Sequence, residues 1–185
     1  MRLPKALPDD HLRQAIAAIA QRHDVLRLRF IEEEDGWRGR YQPPAETPDL
    51  VLEEIDLGHL KGKDFATDMA RHGQQLQASL DITNGPLARV VRFRSPGREA
   101  DRLLWVLHHL IVDGVSWRIL RDDLRQCLTQ LEAGQKVSLP GRTCSYQAWG
   151  ESLQRYAESE ALLKEAEYWR AQLGRPAAAL IPDHD

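Results

Sequence analysis

The chain has little cysteine, few aromatic residues and no strong excess of charge of either sign. Its 185 residues include 2 cysteines, the aromatic share is 6%, and the formal net charge is -3. The spacing of Cys127 and Cys144 indicates neither a zinc site nor a disulfide framework. A mildly acidic chain has no general attraction for nucleic acid or for an anionic membrane surface. We therefore expect neither as a partner.

Long hydrophobic runs are also missing. No segment approaches the ~20 apolar residues of a membrane-spanning helix, and the start lacks the pattern of a signal peptide, so we expect a cytoplasmic location. A hydrophobic share of 42% against a charged share of 29% is typical of a globular chain with enough apolar material for a core. The length fits one ordinary domain or part of a larger one. Cys127 falls on the apolar stripe of a predicted helix and is expected in the core.

Apolar periodicity predicts helices and strands along the chain. Apolar residues recur at helical spacing after Pro8, over residues 64–80, from Ser116 to Gly134, and in two segments after Ser145. Extended segments are predicted at residues 25–31, 37–41, 50–55, 87–93 and 102–109. The last of these is nearly all apolar and is expected inside a sheet rather than at its edge. The sequence predicts an α/β fold, a two-layer arrangement in which helices cover a mixed sheet.

The segment that indicates chemistry is residues 108–117, which read HHLIVDGVSW. Two adjacent histidines close the apolar run of residues 103–107, and an Asp-Gly turn leads into an amphipathic helix. Histidine is the side chain best suited to moving protons near neutral pH. Because adjacent residues on a strand point to opposite faces, His108 and His109 are predicted to have different roles. One should face the core or a cleft, and the other should be structural.

The same residues allow simpler interpretations. A His-His pair at a strand end can be held by backbone partners alone, and Asp113 with Gly114 is a common turn pair. The Asp113 carboxylate could instead hold an arginine, with Arg27 and Arg118 as candidates. A metal site would use His109 and Asp113 or both histidines, but no further ligand has suitable spacing, so no metal is predicted.

Two residues after the turn have alternative interpretations. Ser116 could be a nucleophile paired with His109, but no nucleophile elbow surrounds it, and it fits the N-cap of the following helix. Trp117 and Trp105 are predicted in the core from their spacing. Ser116 and Trp117 are also candidates for lining a substrate channel.

Residues 108–114 resemble the HHxxxDG signature of the condensation superfamily in nonribosomal peptide synthetases, whose relatives include acyltransferases of the chloramphenicol acetyltransferase type. Residues 115–120, VSWRIL, are similar to the epimerization branch of that superfamily. Three further segments resemble the family in the same order: residues 22–30 (RHDVLRLRF), residues 145–149 (SYQAW) and residues 167–173 (EYWRAQL). The likeness covers nearly the whole chain.

This resemblance implies a lobe rather than a complete domain. Residues 1–173 would form the N-terminal lobe of a chloramphenicol acetyltransferase-like fold, and residues 174–185 would begin the connection to a second lobe. The family's opening motif and its C-terminal lobe are not in this chain. In epimerization domains that second lobe carries a glutamate facing the histidine.

The resemblance also implies roles for the motif residues. His109, the second histidine, would be the proton-transfer residue, and His108 would be structural. Asp113, followed by Gly114, would brace the loop, with Arg27 as its expected partner. No metal or cofactor would be bound by this lobe.

The implied enzyme inverts the α-carbon of an L-aminoacyl or peptidyl residue to the D form. That residue would be a thioester on the 4'-phosphopantetheine arm of a peptidyl carrier protein. The partners are therefore the carrier protein and the missing C-terminal lobe, and the isolated lobe is expected to be inactive. Two alternatives stay open: a condensation domain that forms a peptide bond between carrier-bound substrates, and a non-catalytic lobe that docks a carrier protein.

Overall fold

A computed structural model of the protein describes residues 1–43, 50–60, 62–95, 99–141 and 143–174. The chain divides into two compact units, Met1–Arg142 and Thr143–Asp185. The described strands of the first unit are β1 (Arg2–Pro4), β2 (Leu28–Glu33), β3 (Gly36–Tyr41), β4 (Leu52–Asp56), β5 (Ala88–Arg94) and β6 (Ala100–Leu107). Its α-helices are α1 (Asp9–Arg22), α2 (Gly62–Ala78) and α3 (Ser116–Glu132).

Four strands form a mixed sheet in the order β1-β6-β5-β4. β4 runs parallel to β5, whereas β5 and β6, and β6 and β1, are antiparallel. β2 and β3 form a separate antiparallel hairpin around an acidic turn. The expectation that the apolar strand before the histidines lies inside the sheet is confirmed, because β6 has a neighbour on each side.

Neighbouring residues of one strand show how the sheet is covered. Val90 of β5 belongs to the core cluster that also contains residues of α1 and α3, whereas Val91 belongs to a second cluster with Phe65 and Leu76 of α2. Since adjacent strand residues point to opposite faces, α1 and α3 cover one face and α2 covers the other. The α/β class with a helix-covered mixed sheet is confirmed, and α2 adds a third layer.

The packing of α1 against α3 forms the larger cluster. Ile16 and Ile19 of α1 and Leu124 of α3 are buried, and all three belong to this cluster. Cys127 is fully buried there, which confirms its predicted place in the core. Burial raises the pKa of its thiol above the usual value, because desolvation penalises the thiolate.

One local prediction was wrong, and one short strand was missed. The predicted strand at residues 25–31 begins as a 3₁₀ helix, Asp24–Arg27, and becomes β2 only at Leu28. The Leu28 N–H donates to the Val25 carbonyl, which closes a turn where alternating residues suggested an extended chain. β1 was not predicted, because a strand of three residues is too short to show a period.

The second unit contains α4 (Tyr146–Ala157) and α5 (Glu160–Leu173) in its described part. Ser145 caps α4 by accepting a hydrogen bond from the Ala148 N–H at 3.0 Å, and Ser159 caps α5 in the same way. The predicted helices after Ser145 are therefore confirmed. The expected start of an interlobe connection, residues 174–185, lies outside the described residues apart from Gly174.

Candidate functional site

The two histidines lie in a loop rather than on a strand. β6 was predicted to reach His109 but ends at Leu107, which leaves residues 108–115, here called the motif loop, between β6 and α3. The His108 N–H still donates to the Leu87 carbonyl at 2.8 Å, and the Ile111 N–H then donates to the His108 carbonyl at 3.0 Å. This second bond turns the chain away from the sheet and ends the strand.

His108 and His109 nevertheless have different surroundings. His108 is half-buried, and its Nδ1 accepts a hydrogen bond from the Leu110 N–H at 3.2 Å, so its ring helps to form the turn. His109 is exposed, and no hydrogen bond or ion pair joins its ring to another described residue. The difference arises from the turn, not from alternation along a strand as the sequence suggested.

Asp113 connects the motif loop to the start of α3. Its Oδ1 accepts hydrogen bonds from the Ser116 N–H at 2.7 Å and from the Ser116 hydroxyl at 2.6 Å. The bond from the Ser116 hydroxyl, followed by that from its N–H, holds the pKa of the Asp113 carboxyl below its usual range. The prediction that Ser116 caps α3 was wrong, because the Asp113 carboxylate accepts the first-turn N–H and Ser116 is already helical.

Arg27 does not hold this carboxylate. The side chain is only 8% exposed and donates to the backbone carbonyls of Ala20 at 2.5 Å and of Gln21 and Gln42 at 3.3 Å. The expected Asp113–Arg27 contact was therefore wrong. The guanidinium instead joins the end of α1 to the chain after β3, since a buried arginine needs several acceptors.

Gly114 and Trp117 both have open surroundings. A Cβ at Gly114 would meet no atom within 4 Å, so its immediate surroundings do not require a glycine. Trp117 is 39% exposed, and the prediction that it lies in the core was wrong, whereas Trp105 is half-buried against the larger core cluster. Trp117 belongs to the first turn of α3, where its ring borders two surface cavities. Whether it lines a substrate channel stays a prediction.

A polar cluster that was not predicted from the sequence joins the end of α1 to α3. Asp123, 8% exposed, lies 2.6 Å from His23 through Oδ2 and Nε2, and its Oδ2 lies 3.3 Å from the Arg22 Nε. The available signal was Asp123 itself, a carboxylate flanked by Leu120 and Leu124 on the apolar stripe of α3. The cluster fixes the helix whose first turn anchors the motif loop.

The described residues form neither a metal centre nor a membrane span. Among them, no group of three or more His, Cys, Asp or Glu side chains is arranged to hold a metal ion. No helix in the same part of the chain is long and apolar enough to cross a membrane.

Comparison with known proteins identifies the family. The sequence profile of the condensation domain matches residues 1–185. The chain therefore belongs to the condensation domain family of nonribosomal peptide synthetases, a chloramphenicol acetyltransferase-like superfamily. The resemblance drawn from the HHxxxDG segment is confirmed.

Particular relatives are large synthetases. The chain is 38% identical over its full length to a linear gramicidin synthase of Brevibacillus parabrevis, and 39% identical over 94% of its length to a chondramide synthase of Chondromyces crocatus. It covers about 4% of each of those proteins. Among solved structures, the epimerization domain from the third module of tyrocidine synthetase B matches with a TM-score of 0.88 and 30% identity. That match covers 98% of this chain and 40% of that one.

Proposed function

We propose that this chain is the N-terminal lobe of an epimerization domain. The complete domain would invert an L-aminoacyl or peptidyl residue, held as a carrier-protein thioester, to the D form. The observation that carries this proposal is the match to the tyrocidine synthetase epimerization domain, with a TM-score of 0.88 over 98% of the chain. The VSWRIL segment, residues 115–120, supports the same branch from the sequence.

The reaction needs a base that can reach the α-carbon. Removal of the α-proton leaves the electron pair as a thioester enolate, and a proton delivered to the opposite face gives the inverted centre. No oxidation or reduction occurs, so no redox cofactor is needed. His109 is exposed on a loop held by hydrogen bonds at both ends, which suits a residue that must meet a substrate while its backbone stays fixed.

The His109 imidazole would supply only one of the two proton-transfer groups that inversion needs. Inversion requires proton transfer on both faces of a planar intermediate, and the second group would come from the C-terminal lobe, which this chain does not include. The substrate would arrive on the phosphopantetheine arm of a carrier protein. The isolated lobe is therefore expected to lack measurable turnover.

Solvent exchange tests the proposal directly. A complete domain containing this lobe, given a carrier-bound L-aminoacyl thioester in deuterated buffer, should incorporate deuterium at the α-carbon and yield both stereoisomers. The measurement is mass spectrometry with chiral analysis of the released amino acid. Retention of the α-proton and of the L configuration under conditions in which the carrier binds would contradict epimerization.

Condensation is the second candidate, because the matching family profile describes a condensation domain. In that case the same histidine would assist the attack of a carrier-bound amine on the thioester, and a peptide bond would form. Supplying a second carrier loaded with an aminoacyl group separates the two functions. Dipeptide without α-deuterium would favour condensation, and α-deuterium without dipeptide would favour epimerization.

A further inference from the structure

The motif loop begins on a hydrogen bond from a neighbouring loop, residues 81–87, which joins α2 to β5 and is here called the supporting loop. The Leu87 carbonyl accepts from the His108 N–H at 2.8 Å, and Leu87 is only 1% exposed. His108 directly precedes His109 at the point where the chain leaves β6. The place of the Leu87 carbonyl therefore determines where the motif loop starts.

Hydrogen bonds within the supporting loop make it compact. The Asp81 carboxylate accepts from the Thr83 N–H at 2.8 Å and from the Asn84 N–H at 2.9 Å. The Asp81 carbonyl accepts from the Gly85 N–H at 2.9 Å, and the Asp81 N–H donates to the Pro86 carbonyl at 3.3 Å. Because these bonds join the two ends of the loop, a displacement at Gly85 is expected to move the end that leads into β5.

Gly85 is the point at which the supporting loop packs against β2. Its φ is +77°, in the left-handed region that favours glycine. A Cβ at this position would overlap the Arg29 guanidinium at Cζ, Nε and Nη2. Arg29 is 4% exposed and its Nη1 donates to the Leu28 carbonyl at 2.8 Å, so the guanidinium has little room to move aside. The next residue of β2 also holds the loop, because the Phe30 N–H donates to the Ile82 carbonyl at 2.8 Å.

We propose that Gly85 is a positioning residue for His109. Because Gly85 has no side chain, the supporting loop lies directly on the Arg29 guanidinium and holds the Leu87 carbonyl against the His108 N–H. A displacement of about 1 Å in a reacting group can lower a rate about 100-fold, so a small shift of this loop is enough to matter. This role for Gly85 rests on the proposed function, because it takes His109 as the group that meets the substrate.

Gly85→Ala tests the proposal in a complete domain that contains this lobe, and Gly134→Ala is its matched control. Gly134, just after α3, has a φ of +68°, but a Cβ there would meet no atom within 4 Å, so alanine adds the backbone strain without the collision. Hydrogen exchange with fragmentation mass spectrometry measures the His108 amide. Gly85→Ala should speed its exchange by about tenfold or more, and Gly134→Ala should leave it within about threefold of the parent. The Leu57 amide, which donates to the Arg94 carbonyl at the far end of β5, should be unchanged in both.

Kinetics of the same variants separate positioning from a loss of fold. In Gly85→Ala, kcat for α-proton exchange per folded domain should fall by about tenfold or more, because a displaced histidine reacts more slowly. KM for the carrier-bound thioester should be unchanged, since no contact with the substrate is removed. The double variant Arg29→Leu/Gly85→Ala tests the cause, because leucine lacks the guanidinium atoms that the alanine Cβ would overlap. In the Arg29→Leu background, Gly85→Ala should change kcat by less than about threefold.

Equal exchange of the His108 amide in Gly85→Ala and Gly134→Ala would overturn the proposal, and so would a matching rise at Leu57, which would show a general loss of stability. An unchanged kcat in Gly85→Ala, or an equal loss of kcat in the Arg29→Leu background, would also overturn it. If Arg29→Leu does not fold, the comparison of the two glycine variants still decides. A parent domain that exchanges no α-proton would contradict epimerization alone, because the His108 amide is measured without substrate and dipeptide formation then supplies kcat.

Discussion

Single residues determine the shape of the motif loop through a few short polar contacts. Asp113 accepts two hydrogen bonds from Ser116, and the His108 ring accepts one from the Leu110 N–H. These contacts hold the two ends of the loop and leave His109 exposed between them. The proposed proton transfer requires a histidine that is both reachable and positioned, and these contacts are consistent with both requirements.

Asp113 should make the loop sensitive to acid. Its pKa is lower in the folded chain than the value of about 3.9 expected when unfolded, so its contribution to stability is present above that pH and is lost as pH falls through the lower folded pKa. An NMR titration should give the carboxyl of Asp113 a lower midpoint in the folded chain than in the urea-unfolded chain. Asp113→Asn should remove the acid-induced rise in Ser116 amide exchange, and Asp113→Ala should raise that exchange at every pH. Equal midpoints in the two states would contradict this account.

Strands and helices are joined by a buried charge in the middle of β5. Arg92 is 0% exposed, and it donates to Asp101 of β6 at 2.9 Å and to Asp9 of α1 at 2.7 Å. Its Nη1 also donates to the Leu7 carbonyl at 3.1 Å. One guanidinium thus links two strands to the start of a helix. Such a group is tolerated in a core because Nε and Nη1 donate to acceptors and Nη2 lies 2.8 Å from the Asp101 carboxylate.

Removal of that arginine should be costly. Arg92→Met would leave Asp101 buried without its cation, and a broken buried pair of this kind costs about 3–5 kcal/mol. Urea unfolding followed by circular dichroism measures the loss of stability. Arg125→Met is the matched control, because Arg125 is 71% exposed and its ion pair with Asp122 spans 3.7 Å. A similar effect of the two substitutions would show that the buried network contributes little.

The elements differ in how well the sequence predicts them. The apolar run that forms β6 and the amphipathic stripe of α3 have clear periods, and both were predicted with ends within a few residues of those observed. The 3₁₀ helix at Asp24–Arg27 was not predicted. Arg27 was read as the exposed basic residue of an alternating strand, whereas its side chain is buried and donates to the Ala20 carbonyl. Trp117 has helical spacing, but spacing does not show that this residue in the first turn of α3 is partly exposed.

The candidate site was predicted only in part, because residue types show a local turn but not the contacts that tertiary packing sets. The turn was predicted correctly, since Asp113 and Gly114 signal a turn from residue type alone, but the two histidines were predicted on the strand and lie in the loop. The predicted partner of Asp113 was wrong. Its carboxylate accepts from Ser116, three residues away, rather than from the distant Arg27. Pairings set by tertiary packing, such as that of His23 with Asp123, leave little trace in local pattern.

The whole molecule spans less than half of the solved epimerization domain that it resembles. The structural match covers 98% of this chain but only 40% of the solved epimerization domain. An active centre built around His109 would therefore be completed by groups that the chain does not supply. The central proposal at this scale is that His109 transfers the α-proton in the complete domain.

The most direct test measures the rate of α-proton exchange in a complete domain that carries His109→Gln. We expect a loss of about 100-fold or more, because a placed general base contributes at least that factor, and we expect carrier binding to be unchanged. His59→Gln, which alters an exposed histidine before α2, should exchange at the parent rate. A His109→Gln domain that is folded, binds its carrier and exchanges the α-proton at the parent rate would contradict the account.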